Sequence, residues 1–196
     1  MKKYAAFLLL ILISGCGEKN HSRYQSINIP FYEQEDYYAL LSHENSEIVY
    51  NSICNLIYDA DDHGDILSND TIDKTSSDYQ LAENIYSKIT SLLYHKDEKV
   101  SASAIRFLSV FGEEYTNKDE IINSLLKVKS RDENVQFELI QALNSICDSE
   151  SKIQYDFLGN YVNNHSWLVS RATFGLIGNL QDSIGRDFLI VNPLNL

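Results

Sequence analysis

From Asp59 to Asp70 the chain reads Asp-Ala-Asp-Asp-His-Gly-Asp-Ile-Leu-Ser-Asn-Asp, a run that spaces oxygen donors as a hard cation requires. Counted from Asp59, carboxylates stand at positions 1 (Asp59), 3 (Asp61), 7 (Asp65) and 12 (Asp70). Gly64 falls on the sharp turn at position 6 and Ile66 on the apolar position 8, the arrangement with which a twelve-residue loop wraps Ca²⁺. The match is partial. His63 replaces an oxygen donor at position 5, Leu67 supplies no ligand at 9, and Asp70 is shorter than the bidentate glutamate expected at 12. A solvated acidic loop accounts for the same residues without a cofactor, so the two readings stand side by side.

The other chemistry-bearing residues are scattered. There is no Gly-x-Ser-x-Gly elbow, no His-Glu-x-x-His and no glycine-rich phosphate loop. Ser87-Lys88 and Ser151-Lys152 are merely adjacent pairs. His43, His95 and His165 fall in corresponding turns but lack a partner at metal spacing, so they are expected to face water. Cys54 and Cys147 stand in apolar helical patterns and are expected as buried thiols in non-adjacent units, too far apart for a disulfide. The expectation is a protein that is not an enzyme and has no evident small-molecule substrate.

Charge excludes one class of partner. With 28 acidic against 16 basic residues and a formal charge of −12, the chain repels phosphate backbones, and nucleic acid is not expected as a ligand. The amino terminus points elsewhere. Lys2 and Lys3 precede nine apolar residues, Ala5 to Ile13, and then Ile13-Ser14-Gly15-Cys16. This segment is too short to span a bilayer and resembles a bacterial lipoprotein signal. The resemblance implies cleavage after residue 15 and acylation of Cys16, which would become the first mature residue. Several acyl chains would hold the protein to a membrane, each buried CH₂ contributing about 0.8 kcal/mol. Gly17 after the cysteine implies sorting to the outer membrane, facing the periplasm. Residues 16–29 then read as a lipidated cysteine and polar tether, and residues 30–196 as the folded domain.

In that domain glycine and proline are sparse while leucine, isoleucine and tyrosine recur at helical spacing, so the fold class is all-α. Four segments superpose: Ile48-Ile53-Leu56, Val100-Ile105-Leu108, Val135-Ile140-Leu143 and Val169-Phe174-Ile177. Each places apolar residues at offsets 0, 5 and 8, one face of a helix, and the last three start 35 and 34 residues apart. Each follows another amphipathic helix and a polar turn. The predicted helix pairs are 34–42 with 46–58, 79–94 with 98–112, 118–129 with 133–147, and 151–163 with 166–180. Asp97 and Asp132 are predicted to cap the second helices, with Asn45-Ser46-Glu47 and Asn164-His165-Ser166 offering similar caps.

The units are similar to HEAT-like repeats, best over Asp97–Gly112 and Asp132–Cys147, although Ser101, Gln136 or Ser170 follows the valine where that family places a basic residue. The resemblance implies a short α-solenoid of about four hairpins whose second helices line a binding face. Offsets 2, 3 and 6 then give Tyr50, Asn51, Ser103, Arg106, Glu138, Gln141 and Arg171 as a candidate strip for a protein partner. Helical-repeat proteins include immunity partners of bacterial toxins, which makes toxin neutralisation the most concrete expectation. A structural envelope scaffold and a calcium-responsive binding protein are the alternatives. The segment Asp187–Val191 is too short for another repeat and is expected to cap the last hairpin.

Overall fold

A polar turn followed by a side chain able to accept hydrogen bonds starts a helix, and this sequence repeats that arrangement four times. A computed structural model of the chain describes residues 34–63, 77–112, 117–148, 151, 153 and 155–180. Among them are eight α-helices and no strand: α1 (Gln34–Leu40), α2 (Ser46–His63), α3 (Ser77–Leu92), α4 (Glu98–Phe111), α5 (Lys118–Leu125), α6 (Glu133–Ile146), α7 (Tyr155–Val162) and α8 (Trp167–Asn179). They belong to the unit Gln34–Leu196. The expected signal, Cys16 and tether lie outside the described residues, as does the 187–191 segment. No described helix is long and apolar enough to cross a membrane.

The helix pairs stand where the sequence places them, with three adjustments. The second helix runs on to His63 rather than ending at 58, since no glycine or proline stands before Gly64 to stop it. The fifth ends at Leu125 rather than 129. Lys127 and Val128 donate their N–H groups to Ser124 O and Leu125 O in a tight turn instead. The seventh begins at Tyr155 rather than 151, and Ser151 serves the preceding turn, where its hydroxyl bonds both the N–H and the carboxylate of Asp148.

One hydrogen-bond circuit opens all four second helices. The capping residue accepts from the first helical turn: Asn45 from Glu47 N–H, Asp97 from Lys99 N–H, Asp132 from Asn134 and Val135 N–H, and Ser166 from Val169 N–H. These bonds satisfy amide groups that a helix start leaves without intrahelical partners. The cap's own N–H donates two residues back, to His43 Nδ1, His95 Nδ1, Ser130 Oγ and Asn164 Oδ1 respectively, at 2.9–3.1 Å. His43 and His95 therefore serve as acceptors rather than merely facing water. His165 is exposed, and its neighbour Asn164 holds the equivalent position.

The residue after the valine finishes the turn. Ser101 donates to Leu93 O, Gln136 to Ser130 O and Ser170 to Asn164 O. Neighbouring turns are also joined. Ser130 Oγ reaches Glu98, Ser166 Oγ reaches Glu133 at 2.6 Å, and Asn164 donates to Gln136 at 2.9 Å. Uncharged groups and carboxylates thus link the turns where a basic residue would stand in a HEAT-like unit.

Packing follows the pairing. Each first helix lies against its second (α1 with α2, α3 with α4, α5 with α6, α7 with α8), and α2, α4, α6 and α8 pack side by side in that order. The shared core is apolar, with Ile53, Leu56, Ile85, Ile89, Val100, Ile105, Leu108, Leu125, Val135, Ile140, Leu143, Leu158 and Val169 all inaccessible or nearly so. Each such side chain contributes about 1.5–3 kcal/mol when fully buried. The arrangement is an all-α multi-helix assembly in which consecutive hairpins share one interior.

Candidate partner-binding surface

The side-by-side layer of α2, α4, α6 and α8 carries the residues expected to meet a partner. Tyr50 and Asn51 on α2, Arg106 on α4, and Glu138 and Gln141 on α6 are half-buried, and Arg171 on α8 is exposed. Ser103 does not belong with them. It is only 6% exposed, and its hydroxyl donates back to Val100 O. The reason is positional: α4 is flanked by α2 and α6 as well as by α3, so more of its circumference is covered than a two-helix picture allows.

Electrostatics tie two of the remaining residues together across the α4–α6 contact. Burial raises the Glu138 carboxyl above the ordinary carboxylate range, and the Arg106 guanidinium pulls it partly back. Arg171 lies over the Trp167 ring, 5.1 Å from its centroid, in cation–π geometry.

The large exposed apolar side chains lie elsewhere on the same helices, and Trp167, Leu168 and Val110 among them were not singled out from the sequence. Trp167 is 66% and Leu168 49% exposed at the start of α8, while Tyr58 and Val110 are exposed towards the ends of α2 and α4. The signal for the first pair was present in the letters. Two bulky apolar residues directly follow the cap Ser166, ahead of the buried stripe that starts at Val169. First-turn residues on that side of a helix have no neighbour to pack on.

A second concave feature lies where the α5–α6 turn meets α7. It is a groove of about 440 Å³ with Leu126, Val128, Lys129, Arg131, Phe157 and Tyr161 among its lining. Phe157 and Tyr161 pack with ring centroids 5.1 Å apart at 50°. Burial raises the Tyr161 phenol above its ordinary range, so the hydroxyl stays a donor through neutral pH.

Of the acidic run, Asp59 and Asp61 lie on the helical backbone of α2, while Asp65 and Asp70 fall outside the described residues. Among the described residues no three His, Cys, Asp or Glu side chains group as a metal site. Cys54 is half-buried rather than buried. Cys147 is buried, and neither is in a disulfide. Burial pushes the Cys147 thiol up to about 11, against the opposing pull of the Ser151 hydroxyl and the Lys118 ammonium. At pH 8 that leaves about a hundredfold less thiolate than an ordinary protein thiol would have. In a chain with Cys16 and Cys54 both replaced by serine, alkylation of Cys147 by iodoacetamide is therefore expected to be slow until denaturant is added. A native-state rate equal to that of a free thiol would contradict the burial.

No family model matches the chain, and no curated protein sequence matches it. Among solved structures, the crystal structure of an engineered protein from a structural genomics consortium is similar at 18% identity, covering 82% of this chain and 85% of that one, with a TM-score of 0.45.

Proposed function

We propose that this chain is a lipid-anchored binding module of the bacterial envelope, held through Cys16 at the periplasmic face of the outer membrane. There it presents a short HEAT-like solenoid to a protein partner. The observation that supports the reading best is the alignment of α2, α4, α6 and α8, which sets Tyr50, Arg106, Gln141 and Arg171 on consecutive helices of one layer. Helical arrays of this kind offer extended surfaces to other proteins. The repeated turn circuit supports the solenoid, because it gives four hairpins the same entry geometry despite different residues. The most concrete form of the function is an immunity or inhibitor protein whose layer occludes a bacterial toxin, a step that rests on fold-level analogy.

Two measurements test it. Replacing Cys16 with serine is expected to move the protein from the membrane pellet to the soluble fraction and to abolish incorporation of labelled palmitate. Retention in the pellet would remove the lipid anchor from the reading. Crosslinking of the anchored protein in its native envelope is expected to capture one dominant secreted partner. Capture of abundant envelope proteins alone would favour a structural scaffold.

A further inference from the structure

Among the described residues Lys118 pairs with Asp148 at 2.7 Å. Lys129 and Arg131 make no such pair and both line one groove. Both are exposed, and neither makes a hydrogen bond or ion pair among the described residues, although Asp132 and Glu133 follow directly. They line the groove beside α7 together with the apolar Leu126, Val128 and Phe157.

The lining carries a polar group of its own. Tyr161 is 8% exposed, and its hydroxyl has no hydrogen-bond partner among the described residues. A buried phenol normally finds an acceptor, because leaving it without one forfeits the hydration it had in the unfolded chain. The wall, by contrast, is already fixed. Gln136 donates to Ser130 O and accepts from Asn164, both at 2.9 Å, so the cavity need not be organised at the moment of binding. An anionic acceptor attached to something apolar would meet both the cations and the phenol within about 440 Å³.

We propose that this groove is a subsite for an acidic, apolar peptide segment of the protein partner. A carboxylate of the segment sits between Lys129 and Arg131 and accepts from the Tyr161 hydroxyl, and the next apolar side chain lies on Phe157 and Val128. The proposal rests on the protein-binding reading above and supplies the chemistry of one contact. A peptide suits the site better than an anionic bilayer. The positive charge is local, the formal charge of the chain is −12, and Asp132, Glu133 and Asp156 adjoin the groove residues in sequence, so a broad anionic surface is repelled where one carboxylate is not.

The test is fluorescence polarisation of the full chain with a labelled, end-capped peptide in which aspartate alternates with leucine and phenylalanine. Binding is expected to saturate and to weaken with salt. It should fall about tenfold in the Lys129→Glu, Arg131→Glu chain and about threefold in Tyr161→Phe, which keeps the ring. The exposed pair is replaced without loss of the thermal midpoint, which checks folding. Equal affinity of the charge-reversed and unaltered chains overturns the proposal. So does absence of binding, or a preference for phosphatidylglycerol vesicles lost on the same substitutions, which would assign the groove to a lipid headgroup. If envelope crosslinking captures a partner equally with the charge-reversed chain, the subsite fails while the protein-binding reading stands. If the peptide binds but no partner is captured, the larger reading fails instead.

Discussion

Truncation of Phe107 to alanine is expected to destabilise the chain by about 3–5 kcal/mol, the range for deleting a buried phenylalanine. The ring is inaccessible on α4 and meets Tyr86 of α3 edge-on at 5.7 Å between centroids and Phe111 at 4.8 Å. Its loss opens a cavity where α3 and α4 meet. The same cavity loosens the bond from the Tyr86 hydroxyl to Phe111 O, now 2.9 Å, which ties the first helix of the hairpin to the end of the second. Domains of this size are stable by about 5–15 kcal/mol, so the variant should lose much of its margin. Urea unfolding measures it: the midpoint should drop with little change in slope, and a loss below about 1 kcal/mol would mean that the ring is not core.

The second large effect is expected at Gly112, where two considerations predict opposite signs. Its backbone is right-handed helical (φ −68°, ψ −22°), a conformation that alanine adopts freely. On that ground alone Gly→Ala would stabilise by about 0.4–1 kcal/mol through the unfolded chain. Packing reverses the sign. A Cβ placed there would meet Leu108 O, a backbone atom, and would lie 2.8 Å from Ile146 Cδ1 of α6. The methyl group must displace either the last turn of α4 or the end of α6, and such overpacking costs about 1–3 kcal/mol. Gly112→Ala is therefore expected to destabilise. Ile146→Val, which removes the nearest methyl, should recover part of the loss in the double variant, and a stabilised single variant or strict additivity would contradict the close approach.

The sequence made the helical pairs legible because each signal was local. Asp97 and Asp132 cap where their spacing from Val100 and Val135 requires, and Val100, Ile105, Leu108, Val135, Ile140 and Leu143 are all buried. The outer units were read less well. In the first, Val49, Ile53 and Leu56 are buried while Ile48 is half-buried. In the last, Leu176 is buried in place of Phe174. Adjacent apolar residues differ by about 100° around a helix, so letters alone do not settle which of two neighbours faces inward. That depends on how many neighbouring second helices flank the segment, and among the described residues α2 and α8 have one each where α4 and α6 have two. The same cause misplaced Ser103. The groove beside α7 was invisible for another reason: Lys129 and Tyr161 are distant in sequence and meet only because the short α5 leaves the 126–131 turn free to reach α7. Trp167 and Leu168 were legible in principle, since they precede the stripe, but helical periodicity scores the buried face and passes over what stands outside it.

The substantial contacts between hairpins run only from each to the next: α2 with α4, α4 with α6, α6 with α8. Such an array holds together like a zipper rather than a vault. Among the described residues no far-apart pair of units makes a substantial contact, so each join must be sufficient by itself, and fraying begins at whichever end has the poorest join. The α7–α8 hairpin has a neighbour on one side among the described residues, and its entry is pinned to the preceding turn through Ser166 and Asn164. Those two small polar side chains therefore act as the last teeth of the zipper. Their hold, together with the α6–α8 packing, governs how readily the Trp167 end opens separately from the body it extends.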